Sequence, residues 1–301
     1  MKKVILSVLV ISSLFACKKK AEISGCMDPS SLTYNAEAVI DDGSCLEAIQ
    51  EQNVLVMEYT AKWCSPCGFW GAPTLHGLAA QDNLYAIALH AQNDPMHNGT
   101  SSAYNAFVQQ RPNGGGIPYF YIGDFGPDIK WTMTNGGYYV CADNTIEDYR
   151  QQTAIASSVG QTKMNVSGNN VLAEQSEIAI ESINLDIQTR FFEASQGEYY
   201  VGAYLIENDI DGGESSGNYN QAGVNGAYEH DYVFRKSFTS SAFGEQIPEA
   251  SIESDNVYFN NFQLSLNTNW NLENCHVLIV VWEKDNTGFY KYINVNKVSL
   301  K

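Results

Sequence analysis

Apolar and polar positions change rhythm twice along this chain. Behind Lys2 and Lys3 runs a mostly apolar stretch, Val4 to Phe15, ending at Ala16-Cys17. From Asn53 to about Gly160, short apolar runs alternate with stretches of helical spacing. Val54-Leu55-Val56-Met57-Glu58-Tyr59 reads as a buried strand, the stretch after Cys67 as a helix to about Ala80, and Leu84 to Leu89 as a second strand. Ser102 to Gln110 has helical spacing, Tyr119 to Ile122 reads as a strand, and Asp143 to about Ser157 as a closing helix capped by Asp143 or Asn144. Strands alternating with helices argue for an α/β sheet. Beyond Gly160 the period becomes that of β-structure. Ile178–Ile187, Tyr199–Ile206, Tyr228–Phe238, Val257–Leu266, Cys275–Trp282 and Phe289–Val298 are candidate strands between Gly-, Asn- and Ser-rich turns. An antiparallel β-sandwich is expected there.

The apolar stretch near Met1 is too short to cross a bilayer and has the layout of a cleaved export signal. Leu14-Phe15-Ala16-Cys17 resembles the bacterial lipobox, which implies that Cys17 becomes the acylated first residue and tethers the chain to a lipid bilayer. Lys18 to Ser24 reads as a solvated tether. Acidic residues outnumber basic ones 34 to 17, for a formal charge of −17. Such a surface disfavours nucleic acid as a partner.

Seven cysteines are present. With Cys17 lipidated, Cys26, Cys45, Cys64, Cys67, Cys141 and Cys275 remain, an even set that an oxidising compartment tends to pair. Cys26 with Cys45 and Cys64 with Cys67 are local pairs; Cys141 and Cys275 pair only if the fold brings them together. The segment from Gly25-Cys26 to Gly43-Ser44-Cys45 resembles a short module of secreted marine Bacteroidetes proteins. It is too small to fold on apolar burial alone, so a Cys26–Cys45 bond would constrain it. Asp28, Asp41 and Asp42 suit calcium by chemistry but lack the spacing of the twelve-residue calcium loop, and an acidic turn is the favoured reading.

Trp63-Cys64-Ser65-Pro66-Cys67 is the segment with chemistry. Two cysteines separated by two residues at a helix start place the first thiol near backbone N–H groups and the positive end of the helix dipole, which favours its thiolate. Cys64 then takes the nucleophile role and Cys67 the resolving role. Pro66 suits the first helical turn. No second cysteine pair follows at zinc-finger spacing, so a zinc site is not expected. His90 and His97, with Asp94 and Met96, invite comparison with copper-delivery relatives of thioredoxin, but those space their cysteines by three residues. No cofactor or metal is expected.

Further features resemble thioredoxins. Trp63 precedes the nucleophile, Glu58 lies six residues earlier where thioredoxins bury an aspartate, and Ile117-Pro118 precedes a strand where they carry a cis proline. The resemblance implies a proton relay from Glu58 to Cys67 and a peptide-binding edge at Pro118. Pro73 stands six residues after Cys67, where thioredoxins place a helix-kinking proline at five.

Taken with Glu58-Tyr59-Thr60, Ala88-Leu89-His90-Ala91 and Tyr228-Glu229-His230-Asp231-Tyr232-Val233-Phe234-Arg235, the chain resembles the Bacteroidetes outer-membrane lipoproteins named after a twenty-eight-kilodalton outer-membrane protein. The resemblance implies an outer-membrane location and an α/β thioredoxin-like domain followed by an all-β antiparallel sandwich. The corresponding divisions are a signal at 1–16, tether and disulfide module at 17–46, thioredoxin-like domain at 47–159 and sandwich at 160–301. His230 and Arg235 are read as structural, with Arg235 in a surface ion pair. The expected activity is thiol–disulfide exchange with exported proteins, as reductase or isomerase, fed by an external electron donor. The competing expectation is a non-catalytic surface lipoprotein with a static Cys64–Cys67 bond.

Overall fold

Five apolar residues with a single carboxylate and a closing threonine make Val54–Thr60 a strand buried on both faces, and it becomes the pivot of the architecture. The computed structural model describes residues 22–97, 101–112, 114–126, 140–167, 179–212, 219–226, 228–248, 252–267 and 269–300. The signal, Cys17 and the first tether residues lie outside them.

Among the described residues thirteen strands and three α-helices follow in chain order. They are β1 (Val54–Thr60), α1 (Ala72–Ala79), β2 (Leu84–His90), α2 (Ser101–Gln110), β3 (Tyr119–Ile122), α3 (Val140–Arg150), β4 (Ala156–Ser167), β5 (Ala179–Phe191), β6 (Glu198–Glu207), β7 (Ile210–Asp211), β8 (Glu229–His230), β9 (Val233–Ser237), β10 (Glu245–Gln246), β11 (Val257–Ser265), β12 (Cys275–Lys284) and β13 (Tyr290–Ser299). The closing helix stops at Arg150 instead of reaching Ser157, because Ala156 already begins the long strand β4. The expected strand Tyr228–Phe238 is broken at Asp231-Tyr232, where Tyr232 takes a left-handed φ of 60°.

The expectation of an α/β domain followed by a separate all-β sandwich is overturned by the sheet. One eight-stranded mixed sheet runs β13-β12-β6-β9-β2-β1-β3, with β10 added beside β6. Strand β9, from the second half of the chain, pairs in parallel with β2 through Ala88 and Val233 and antiparallel with β6. Its flank supplies the Tyr232 carbonyl that accepts the Ala88 N–H at 2.7 Å. An edge strand leaves backbone donors and acceptors open, and here the second half of the chain closes the edge of the first. Local periodicity cannot show such a pairing, because it reports which residues are buried and not which distant strand buries them.

The cores repeat this continuity. On one face Leu55, Met57 and Tyr59 of β1, Ile87 and Leu89 of β2, Tyr204 and Ile206 of β6, Leu278, Val280 and Trp282 of β12, and Phe107 of α2 form a single apolar cluster. The opposite face is divided. Helices α1 and α3 cover Val54, Val56, Ala86 and Ala88, while the small sheet β11-β5-β4 covers Val201, Ala203, Val277 and Ile279. Two polar seams sew the halves together. Arg111 donates to the Tyr290 carbonyl at 2.6 Å, pairs with Asp124 and lies over the rings of Trp282 and Phe289. Asn53 donates through Nδ2 to the Val295 carbonyl at 2.8 Å.

Arg235 is in a buried pair, not a surface one. Its Nε donates to Glu207 Oε2 at 2.6 Å, while Glu207 Oε1 accepts the Asn271 N–H at 2.8 Å. The small module is closed by Cys26–Cys45 and docks on β5, where Gln188 Nε2 donates to the Ser30 carbonyl and Gln188 Oε1 accepts the N–H of Ala48, just past the module, at 2.8 Å.

Two outcomes are expected. A fragment ending at Val159 lacks β6, β9 and β12 over the α2 face, so it should bind a hydrophobic dye and unfold without a cooperative transition. Arg235→Ala leaves Glu207 buried without its counter-charge and should lower stability by about 3–5 kcal/mol in denaturant titration, whereas pairing Arg235→Met with Glu207→Leu should recover most of it.

Candidate functional site at the Cys64–Cys67 pair

The site is assembled at the carboxyl end of β1. Ala61 and Lys62 follow the strand, and Cys64 and Cys67 are joined in a disulfide with Cα atoms 5.2 Å apart. The Cys67 N–H donates to the Cys64 carbonyl at 3.1 Å and lies 3.2 Å from Cys64 Sγ. The helix after the pair opens with a wide turn, in which the Ala72 N–H bonds the Cys67 carbonyl five residues back. Such a turn holds one residue more than ordinary α-helix, and it takes up the extra residue that displaces Pro73 by one position from the thioredoxin pattern. The Ile117–Pro118 peptide is cis, and the Ile117 carbonyl faces Cys64 Sγ at 3.6 Å. Trp63 is 53% exposed beside exposed Ser65 and Pro66, while Cys64 and Cys67 retain only 6% and 1%.

Glu58 points to the same face of β1 as Val54 and Val56, since side chains alternate along a strand. It is 1% exposed, and its Oε1 has no hydrogen-bond partner. Burial pushes its pKa up to about 8, against a smaller opposing effect of Thr60. Gly71 is what leaves it room: a Cβ there would lie 2.5 Å from Glu58 Oε1 and 2.9 Å from Pro118 Cβ. Glu58, the wide turn after Cys67 and the cis proline therefore meet in one small volume.

A second layer fixes the loop before Trp63. Asp94 Oδ2 accepts the Lys62 N–H at 2.6 Å and lies 3.1 Å from His90 Nδ1, while Asp94 Oδ1 accepts the Met96 N–H at 2.8 Å. Burial works against the Asp94 charge, yet the His90 bond and these N–H groups hold its pKa below the ordinary range. His97 Nδ1 is 2.6 Å from the His90 carbonyl. The residues considered for copper thus serve the loop. Among the described residues no three His, Cys, Asp or Glu side chains group to hold a metal. Asp28, Asp41 and Asp42 likewise accept local N–H groups, from Ser30, Gly43 and Ser44.

Four contributors, Gln221, Ala222, Gly223 and Tyr228, come from the second half of the chain and were not read from the sequence as parts of this site. Gln221 Nε2 donates to the carbonyls of Cys64 at 3.1 Å and Ala61 at 3.3 Å, and the Ala222 N–H donates to the Lys62 carbonyl at 2.7 Å. Gly223 lies against the Ser65 carbonyl. Tyr228 is near enough to Glu58 for that carboxylate to raise its phenol pKa further, after burial. The only sequence signal close by was the block Tyr228 to Arg235. His230 anchors this region: its Nε2 lies 2.7 Å from the Tyr219 carbonyl, and burial and then His90 lower its pKa to about 4. Cys275 carries a free thiol, pushed up to about 12 by burial, and the side chain of Cys141 lies outside the described residues.

A mixed β-sheet protein with a cysteine pair at a strand-to-helix junction is the class that fold and site define. The chain belongs to the family of outer membrane protein Omp28, whose family model matches residues 141–301. Its location is therefore the outer membrane, and no described helix is long and apolar enough to cross a membrane. Among solved structures the chain is similar to HBP35 of Porphyromonas gingivalis, at 15% identity and a TM-score of 0.61, over 84% of this chain and 77% of that one. This likeness concerns the fold alone. Spo0M, a sporulation control protein from Bacillus subtilis, aligns at 9% identity over 47% of this chain and 49% of that one, and its TM-score of 0.24 carries no argument. No curated protein matches the chain.

Glu58 should leave a pH signature. Folded protein keeps its proton up to about pH 8, while the unfolded chain releases it near the ordinary glutamate value of 4.5. Stability should therefore fall as pH rises from 4.5 to 8, by on the order of 1 kcal/mol per pH unit. Glu58→Gln should abolish that slope and be more stable than the parent at pH 8, as read by chemical denaturation at both ends of the window.

Proposed function

We propose that this chain is a lipid-anchored thiol–disulfide exchange protein of the outer membrane, acting on exported proteins through Cys64 and Cys67. The signal and lipobox pattern ending at Cys17 support the anchor. The observation that carries the exchange reading is Glu58, a buried carboxylic acid whose pKa of about 8 is close to that of a thiol. A proton carrier works best when its pKa is close to that of the group it serves.

In the reduced form, the Cys64 thiolate attacks one sulfur of a visiting disulfide. A mixed disulfide forms with Cys64, and the other substrate sulfur leaves as a thiolate that takes a proton from water. In the molecules whose Glu58 is ionised, a share that grows as pH approaches 8, Cys67 gives its proton to the Glu58 carboxylate and attacks the Cys64 sulfur. The Cys64–Cys67 bond forms, and the second substrate thiolate departs. Two electrons have passed from the cysteine pair to the substrate, and an external dithiol restores the pair. Pro118 and the Ile117 carbonyl offer the edge along which a peptide lies, and Trp63 supplies an apolar rim. Ser-Pro between the cysteines and Ile117 before the proline favour reduction or isomerisation over strong oxidation.

The low exposure of both cysteines favours a second reading, a surface lipoprotein with a static disulfide. Insulin reduction with dithiothreitol as donor separates the two. Turnover that disappears in Cys64→Ser, a trapped mixed disulfide in Cys67→Ser and a rate lowered about 100-fold in Glu58→Gln are expected. A reduction potential below about −300 mV with no turnover would leave only the static bond.

A further inference from the structure

The exchange reading leaves one arrangement without a role, the strap formed by residues 219–226. It comes from between β7 and β8, far from the cysteine pair in sequence, yet it follows the backbone of the redox turn from Ala61 to Gly68. Three of its features fit that backbone closely. Gln221 is 9% exposed and aims Nε2 at the Ala61 and Cys64 carbonyls. Ala222 joins in through its backbone: its N–H bonds the Lys62 carbonyl, and its carbonyl accepts Gln221 Nε2 at 3.1 Å and lies where a Cβ on Gly68 would have to be. Gly223 has a φ of +85° and no space for a Cβ, which would strike the Ser65 carbonyl. The strap is held at its start by His230 on the Tyr219 carbonyl.

The Cys64 carbonyl thereby accepts three donors: the N–H groups of Cys67 at 3.1 Å and Gly68 at 3.3 Å, and Gln221 Nε2 at 3.1 Å. All three are made with the disulfide closed. Reduction breaks the covalent bond and lets the two sulfurs part, which lifts the constraint that the bond places on the turn between them. A buried amide bonded to two carbonyls of that turn opposes the change. Removing it would leave both redox states folded but would relieve only the closed one of a favourable contact.

We propose that Gln221 is a positioning residue for the redox centre, biasing the Cys64–Cys67 pair toward its disulfide form through the strap. It does not touch substrate and exchanges no electrons. Its effect is on the equilibrium between the pair and a dithiol: the dithiol's two thiols give two electrons and two protons to the Cys64–Cys67 bond and become a disulfide. This inference rests on the exchange reading for its biological meaning, but not for its test.

The test equilibrates the full chain and its variants with oxidised and reduced dithiothreitol and counts free thiols by mass spectrometry. Gln221→Ala is expected to shift the equilibrium toward the reduced pair roughly tenfold, equivalent to about 30 mV. Gln221→Glu, which keeps the size but loses the donor, and Gly223→Ala, which lifts the strap without touching Gln221, should move it in the same direction. An equilibrium that stays within twofold of the parent in folded Gln221→Ala and Gln221→Glu overturns the proposal, as does a shift toward the disulfide. A thermal melt with a cooperative transition certifies that each variant is folded; Gly223→Ala stands in if neither Gln221 variant is. Loss of insulin turnover in the parent alone would sink the exchange reading and leave this equilibrium shift to be read as before.

Discussion

The pairing of β9 against β2 is the constraint on which the rest of the structure depends. Strand β2 is central to the first half of the chain, yet without β9 its outer edge would carry open backbone groups and the apolar residues beneath α2 would lack half their cover. Parallel pairing at Ala88 and Val233, with the Ala88 N–H on the Tyr232 carbonyl, closes that edge. It also joins β6, β12 and β13 to the same sheet. Long-range pairing of this kind must order a great deal of chain before it is rewarded. The buried Arg235–Glu207 pair and the Arg111 seam lie along the junction, where a charge left alone would be expensive.

Because β9 is fixed there, the chain leading into it is carried across the redox turn. Strand β8 places His230 beside His90, with ring centroids 5.8 Å apart, and His230 holds Tyr219 at the head of the strap. The same path brings Tyr228 toward Glu58. The surroundings of the cysteine pair are consequently built from both halves of the chain. One side is the cis Ile117–Pro118 edge and the other is the strap, with Glu58 below. A buried acid with an unpartnered oxygen is a burden on stability, and Gly71 shows that the packing is shaped to keep it.

Much of the local structure was legible. Val54 to Tyr59 and Leu84 to Leu89 are apolar runs of strand length and became β1 and β2, extended by Thr60 and His90. Both local cysteine pairs are bonded, as proximity in sequence favours. The misreadings have a common origin. Ala156 and Ser157 fall in the expected closing helix because Ala and Ser do not exclude it, and pairing with β5 places them in a strand instead. Arg235 was read as a surface partner because an alternating strand is half exposed when one face meets water, and here both faces of the sheet are covered.

By itself the sequence determined the chemistry that can occur at Cys64 and Cys67, the residues that must be buried and the elements of secondary structure, because each depends on side-chain type and near neighbours. Tertiary structure alone decided that the two halves share one sheet and that Gln221, Gly223 and Tyr228 surround the redox turn. Those contacts join residues far apart in sequence, from Ala88 with Val233 to Glu58 with Tyr228, and a glutamine in a Gly- and Asn-rich stretch looks the same in sequence whether it is solvated or bonded to the backbone of a redox centre. What distinguishes the cases is strand register, which only the packed molecule specifies.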